Sequence, residues 1–258
     1  MFKKKANTAS KYYFNHPQVW TTVRQRSLDR EIIFLDSLFS SKRNINKVLD
    51  VGCGSGIHCH RLQELGYKTT GIDLNRHMIK YAKTNYPNLN FFKQDMKNIT
   101  LKTTFDAIIC LCTTFSFNLT NDQIQKTLAG FNKLLKKDGV LVIEVLNPIS
   151  FLSKNRFTGS FFRENLKYLK TLNLRIDLTH KVDEKNQILN EVRKTYSLKT
   201  NKLLSEDVTQ FRLLFPQELS FHLKEAGFKV NAFYGRYRPN YTELDKTRLI
   251  VISQKVGT

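Results

Sequence analysis

Residues 48 to 56, Val48-Leu49-Asp50-Val51-Gly52-Cys53-Gly54-Ser55-Gly56, carry a pattern suited to holding a nucleoside. A short apolar run passes a carboxylate and enters a loop with glycine at every second position. Glycine permits sharp turns and lets a ligand lie against bare main chain. The helix expected next, Ile57 to Leu65, would direct unpaired backbone N–H groups at that loop. A second strand, expected over Lys68 to Ile72, ends at Asp73, 17 residues beyond Gly56. A carboxylate at that strand end is placed to accept two ribose hydroxyls. The spacing is G-x-G-x-G. A dinucleotide fingerprint read from Gly52 would need a glycine where Ile57 stands.

The stretch resembles the first motif, D-x-G-x-G-x-G, of the class I S-adenosylmethionine-dependent methyltransferases of small-molecule type. The resemblance continues in order along the chain. Asp73-Leu74 resembles the ribose-binding acid and its neighbour. Gln94-Asp95-Met96, after the run Leu89 to Phe92, is similar to the acid and cap at the adenine edge. Phe105 to Ile109 resembles the fourth strand. Leu134 to Leu141 resembles the turn into strand five, with Asp138-Gly139 in place of the usual Pro-Gly or Gly-Gly. The resemblance implies S-adenosyl-L-methionine as cofactor, held by Asp50, Gly52, Cys53, Gly54, Asp73, Leu74, Asp95, Met96 and Leu111. It implies that Asp95 takes the adenine amino group and the next backbone N–H a ring nitrogen. Related enzymes carry a Tyr-Asp pair near the N-terminus whose tyrosine reaches over the cofactor. Here Tyr12 keeps the tyrosine and Tyr13 replaces the acid.

The residues after strand four, Leu111-Cys112-Thr113-Thr114-Phe115-Ser116, correspond to the wall that faces the transferred methyl. Thr113 and Phe115 are therefore acceptor candidates, with Tyr13. The D/N-P-P-Y/F signature of base-amine methyltransferases does not stand there, and Asn147-Pro148 follows strand five and reads as a turn. Cys112 reads as a buried apolar cysteine. Residues 173 to 254 also resemble the C-terminal part of small-molecule methyltransferases, through Phe215-Pro216, Gly227-Phe228 and Arg248 to Val251. In that part Arg212, Tyr234 and Arg236, with Tyr237 and Arg238, are candidates for the acceptor wall, because a guanidinium binds carboxylate or phosphate bidentately. No general base is apparent; His180 and His222 read as packed or exposed, and the catalytic residue stays unassigned. A sulfonium methyl is already activated, so alignment of the acceptor supplies much of the catalysis. An amine acceptor must be neutral, and an oxygen acceptor usually needs a base. The expected reaction is methyl transfer to a nitrogen or oxygen of a small molecule or short peptide.

Composition bounds the alternatives. The 258 residues suffice for one large α/β domain with a small appendage. No apolar run approaches the ~20 residues of a membrane span, and the start, Met1-Phe2-Lys3-Lys4-Lys5, is unlike a signal peptide. The expected setting is the reducing cytoplasm. Four cysteines make no disulfide framework. His58 and His60 diverge on a helix, so no metal is expected. Lys and Arg number 42 against 22 acids, a formal net charge of +20. The excess is spread: 10 basic and 4 acidic residues over 1–50, 12 and 7 over 51–150, and 20 and 11 over 151–258. A nucleic-acid patch would concentrate it. An RNA methyltransferase is the runner-up, and a non-catalytic subunit of the same fold is third.

The expected architecture is a doubly wound, mostly parallel seven-stranded Rossmann-like sheet with an inserted antiparallel β lid. Residues 1–44 read as a helical lead-in, with apolar positions from Val23 to Leu38 near helical spacing. Strand and helix alternate from Lys47 to Leu146. Residues 45–150 and 215–258 make the cofactor domain. Residues 151–214 form the lid, with strands expected over Leu174 to Lys181, Ile188 to Leu198 and Asp207 to Leu214. Asp183 to Asn186 reads as a turn between the first two, which makes them an antiparallel pair.

Overall fold

The computed structural model describes residues 11–42, 45–152, 162–163, 166–244 and 247–256. The helical lead-in comprises α1 (Lys11–Asn15) and α2 (Pro17–Ser40). Proline at the first turn of α2 gives up no hydrogen bond that the helix needs. The chain then alternates β1 (Lys47–Val51), α3 (Ile57–Glu64), β2 (Lys68–Asp73), α4 (Arg76–Asn85), β3 (Asn90–Lys93) and β4 (Phe105–Cys110). A 3-10 turn (Thr114–Phe117), α5 (Asn121–Leu134) and β5 (Leu135–Leu146) follow. Next come α6 (Ile149–Leu152), β6 (Phe162–Arg163), α7 (Leu166–Thr171), β7 (Leu174–Asp183), β8 (Ile188–Ser197) and β9 (Leu203–Arg212). The chain closes with α8 (Pro216–Glu225), β10 (Phe228–Tyr234) and β11 (Arg248–Lys255).

Seven strands form one sheet in the order β10-β11-β5-β4-β1-β2-β3. β1 pairs parallel with β2 and β4, and β11 runs opposite to the other six strands, antiparallel to both β5 and β10. Apolar side chains cover both faces. Ile108, Ile143, Phe131 and Leu219 share one core with α5 and α8, while Val48, Ile109, Leu35 and Leu62 share the other with α2 and α3. Helix caps fix the turns between layers. Asn75 Oδ1 accepts from His77 N at 2.7 Å and Met78 N at 3.2 Å, and Thr120 Oγ1 accepts from Gln123 N at 3.3 Å.

Two boundaries differ from expectation. The expected turn around Asp138-Gly139 lies inside β5, as an interruption of the β4 ladder. Leu135 pairs with Phe105 and Val140 with Ala107, so the residues between loop out. Asp138 takes φ +62°, which a short polar side chain tolerates. The third lid strand runs from Leu203, not Asp207, and stops at Arg212. Its pairing with β8 continues to Tyr196↔Leu203, beside the turn, while Leu213 and Leu214 leave the strand to fill two separate cores. The lid sheet also gains a fourth short strand, in the order β6-β7-β8-β9.

Candidate active site

A cavity of about 710 Å³ lies beyond the C-terminal ends of β1, β2, β4 and β5. In open α/β sheets this is where ligands bind. Its floor includes Gly52, Gly54, Asp73, Leu74, Asp95, Met96 and Thr113; its roof includes Leu178, His180, Leu189, Glu191, Arg193, Thr209 and Phe211 of the second sheet. The antiparallel insertion therefore covers the crevice from above. The N-terminal helices close a side with Phe14, Asn15, Trp20, Val23 and Arg24.

The glycine loop is fixed from beneath by β2. Gly52 N and Cys53 N both donate to Ile72 O, at 2.8 and 3.0 Å. Gly54 N donates to Asp73 Oδ2 at 2.9 Å, and Asn75 N to Asp73 Oδ1 at 2.7 Å. These amides thus serve the loop's own architecture. Gly52 has φ +74°, and a Cβ there would lie 2.3 Å from Thr114 Cγ2. Only glycine lets the loop pass this close to the turn after β4. Burial raises the pKa of Asp73, against the two amides that favour its charged form. On the next turn Asp95 Oδ1 accepts from Lys97 N at 3.0 Å and pairs with Lys97 Nζ at 3.1 Å.

A buried charge network underlies the side of the cavity toward α2. Glu31, fully buried, accepts from Arg24 Nη2 at 2.6 Å, His58 Nε2 at 2.8 Å and Arg248 Nη1 at 3.2 Å. Glu144 of β5 accepts from Arg248 Nη1, from the Tyr237 hydroxyl and from Cys112 N at 3.3 Å. That amide belongs to a turn in which Cys112 and Thr113 both take positive φ, +54° and +61°. Glu144 so helps hold a strained segment of the cavity wall. Glu31, His58 and Cys112 also cluster closely enough to suggest a metal site. The Glu31 carboxylate, however, is already committed to two guanidiniums and an imidazole.

In the roof, Glu191 accepts from His180 Nε2 at 2.9 Å and Arg193 Nη2 at 2.8 Å. Burial works to raise the Glu191 pKa, but Arg193 and His180 outweigh it and hold it down at about 2. Phe211 of β9 meets Phe117 of the 3-10 turn at 5.3 Å between ring centroids. The two apolar rings bridge roof and floor.

Of the residues singled out from sequence, Gly52, Gly54, Asp73, Leu74, Asp95, Met96 and Thr113 line the cavity. The others among the described side chains do not. Asp50 is buried beneath the loop, where the Cys59 thiol reaches it at 3.7 Å and desolvation raises its pKa to about 6. Cys53 packs with Cys59, Ile79 and Phe91. Leu111 and Phe115 point into opposite cores because β4 ends there; Phe117, two residues on, is the ring at the cavity. Tyr12 stacks on His16 and packs beside the Val19 cluster, while Phe14 takes the lining position. Arg212 is spent on Glu218 at 2.5 Å and Asn186 O at 2.7 Å. Tyr234 packs edge-on against Phe34, and Arg236 lies exposed over Tyr241. The Tyr13 side chain lies outside the described residues.

Sequence reading missed the roof triad. Its signal was present: once the turn after Asp183 is placed, β7 and β8 pair so that His180 faces Glu191. Glu144 was visible as a lone carboxylate in the apolar run Leu141 to Leu146, and Arg24 and Glu31 as opposite charges two helical turns apart.

Comparison with known proteins agrees with this geometry. Residues 48–139 match the model of a methyltransferase domain. The glycine/sarcosine N-methyltransferase of Aphanothece halophytica is 23% identical over 253 residues, 89% of this chain and 83% of that protein. The dTDP-3-amino-3,4,6-trideoxy-alpha-D-glucopyranose N,N-dimethyltransferase of Streptomyces venezuelae is 28% identical over 42% of this chain and 46% of that protein. The chain spans about half the length of two further curated methyltransferases, 44% and 52%, at 30% and 31% identity. An S-adenosylmethionine-dependent methyltransferase from Clostridium acetobutylicum ATCC 824 superposes with a TM-score of 0.81 at 14% identity, over 95% of this chain and 100% of that one. Residues 48–139 thus match a methyltransferase domain, in a chain that shares its fold with the S-adenosylmethionine-dependent methyltransferase of Clostridium acetobutylicum.

Proposed function

We propose that the protein transfers a methyl group from S-adenosylmethionine to a nitrogen of a small molecule enclosed between the glycine loop and the β lid. The observation that carries this reading is the single cavity lined on one side by Gly52, Gly54, Asp73 and Asp95 and on the other by the lid. Its volume, about 710 Å³, is in the range of small-ligand sites. The lining fits an adenosyl group. Asp73 presents a carboxylate at the β2 end, Asp95 presents a second one a strand away, and the loop at Gly52 brings main chain to the surface with no space for a Cβ. In this reading Asp73 accepts the ribose hydroxyls, Asp95 the adenine amino group, and the Asp95-Met96 backbone the ring edge. Bound cofactor supplies a sulfonium methyl; the protein aligns an acceptor lone pair with it and excludes water.

A nitrogen acceptor is favoured by the N-methyltransferase that aligns over 89% of this chain. A polynucleotide acceptor is disfavoured by the roof, which covers the cavity with Leu178, Leu189 and Phe211. Among the described residues no helix is long and apolar enough to cross a membrane.

The test is to incubate the protein with methyl-labelled S-adenosylmethionine and fractionated cell extract. Label is expected in the small-molecule fraction, with S-adenosylhomocysteine formed in proportion. Label confined to RNA would replace this reading with the nucleic-acid one.

A further inference from the structure

We propose that Glu144 is a positioning residue for methyl transfer: through the Cys112 amide it holds the Thr113 hydroxyl where that oxygen accepts an N–H of the acceptor amine. The proposal rests on the methyl-transfer reading and adds to it a grip on the acceptor nitrogen. The turn that carries Thr113 is strained. Among the described non-glycine residues with positive φ, Cys112 at +54° and Thr113 at +61° are the one adjacent pair. The others, Asp138, Asn173, Gln187 and Asn201, stand singly and carry acid or amide side chains. A β-branched residue in this region is an outlier, and such strain persists only where its surroundings over-determine it. Here three hydrogen bonds close the turn. Cys112 N donates to Glu144 Oε2 at 3.3 Å, Thr113 Oγ1 to Cys112 O at 2.6 Å, and Thr114 N to Leu111 O at 3.0 Å. The Thr114 side chain in turn lies against Gly52 of the glycine loop.

Glu144 stands in the otherwise apolar run Val140 to Leu146 of β5 and is 1% exposed. A carboxylate there is costly unless it is paired. Its partners are Arg248 Nη1, 3.3 Å from Oε1, the Tyr237 hydroxyl and the Cys112 amide. Arg248 and Tyr237 secure the carboxylate, and the Cys112 amide transmits its position to the cavity wall. Thr113 lines the cavity and is partly exposed. Its hydroxyl proton is spent on Cys112 O, so the oxygen meets a ligand as an acceptor. An oxygen that only accepts suits an amine, which keeps an N–H to donate while its lone pair faces the methyl. As that lone pair bonds the methyl carbon, the C–S electron pair returns to sulfur, and the ammonium product later gives its proton to water. A hydroxyl acceptor has to lose the one proton that Thr113 would hold.

Single-turnover methyl transfer on the full chain tests the proposal, with methyl-labelled S-adenosylmethionine and the small-molecule extract fraction that takes up label as probes. Calorimetry with S-adenosylhomocysteine reports on the floor separately, and a thermal melt checks folding. Glu144→Ala is expected to lower the saturating rate at least tenfold while S-adenosylhomocysteine binds within threefold of wild type. Glu144→Gln, which keeps an oxygen for the Cys112 amide, recovers most of that rate. Thr113→Val falls as far as Glu144→Ala, and Thr113→Ser recovers. The double variant Glu144→Ala/Thr113→Val is no slower than either alone, since both remove one interaction. A folded Glu144→Ala protein that transfers at the wild-type rate overturns the proposal, as does a loss of S-adenosylhomocysteine binding equal to the loss of rate. Effects that multiply in the double variant also overturn it, because Glu144 then acts by a route other than Thr113. If Glu144→Ala does not fold, the Thr113 variants decide, and Thr113→Val at the wild-type rate overturns it. Wild-type protein that labels no small-molecule fraction removes the methyl-transfer reading, and the proposal with it.

Discussion

The floor and the roof of the cavity are built by different means. The floor is made by backbone: a loop whose amides bond to Ile72 O and Asp73, with no space for a side chain at Gly52. The roof is made by side chains facing across antiparallel strands, His180 opposite Glu191 and Glu191 beside Arg193. A backbone cradle needs particular residues at fixed short spacing, so it leaves a motif. A cross-strand cluster needs only a register, and many residue types fit it. In the proposed function the floor takes the nucleoside and the roof faces the acceptor.

The largest expected effect breaks the roof alone. Glu191→Ala leaves Arg193 and His180 without their carboxylate in a buried setting, which costs about 3–5 kcal/mol. Amide exchange should speed up over β7, β8 and β9, while S-adenosylhomocysteine binding changes less than threefold. Loss of nucleoside binding of the same size would show that roof and floor are one unit.

Acid should separate the two regions in opposite directions. The folded pKa of Glu191 is depressed from 4.5 to about 2, so its contribution is full above 4.5 and is lost as pH falls toward 2. The folded pKa of Asp50 is raised from 3.8 to about 6, chiefly by burial, so its contribution is full below 3.8 and is lost as pH rises through 6. Each change is about 3 kcal/mol at 1.36 kcal/mol per unit, as an upper bound. Lowering pH from 7 to 4.5 should raise the protection factors, which correct for the intrinsic slowing of exchange in acid, around β1 and the glycine loop and leave those of the lid unchanged. Further acid should open the lid first. Parallel pH profiles for the two regions would refute the assignment.

Asp73→Ala removes the acceptor for two loop amides and, in the proposed function, for the ribose. Hydrogen bonds to a charged group contribute about 1.5–3 kcal/mol, so S-adenosylhomocysteine should bind on the order of 10- to 100-fold more weakly. Lid exchange should stay as in the wild type. The smallest effect sharpens the floor: Asn75→Ala removes the α4 cap and costs about 1 kcal/mol. It should lower the melting temperature without changing nucleoside specificity.

The same contrast explains what could be read from the sequence. The seven-stranded sheet was legible because β-type runs alternate with helices along most of its length, two of those helices capped by Asn75 and Thr120. The floor was legible at Gly52, Gly54, Asp73 and Asp95, since local spacing fixes their position. The expectation weakened where a residue's direction depends on packing. Phe115 and Phe117 are two apart in a 3-10 turn, yet only Phe117 reaches the cavity. Arg212 reads as an anion-binding arginine until Glu218, six residues on, is seen to occupy it. Tyr234 and Arg236 lie near the mouth in sequence order, but β10 is the edge strand, farthest from β1 in the sheet order on that side. Arg24, Glu31 and Arg248 meet only because α2 packs over the start of β11 and α3.

The central claim is that the cavity holds an adenosyl nucleoside on its floor, beneath the lid. The most direct test is a crystal structure of the full chain soaked with S-adenosylhomocysteine. The account predicts the ribose hydroxyls within hydrogen-bond distance of Asp73, the adenine edge at Asp95-Met96, and the thioether sulfur facing Thr113 under Phe211. Nucleoside bound outside the cavity, or with its ribose away from Asp73, would contradict it.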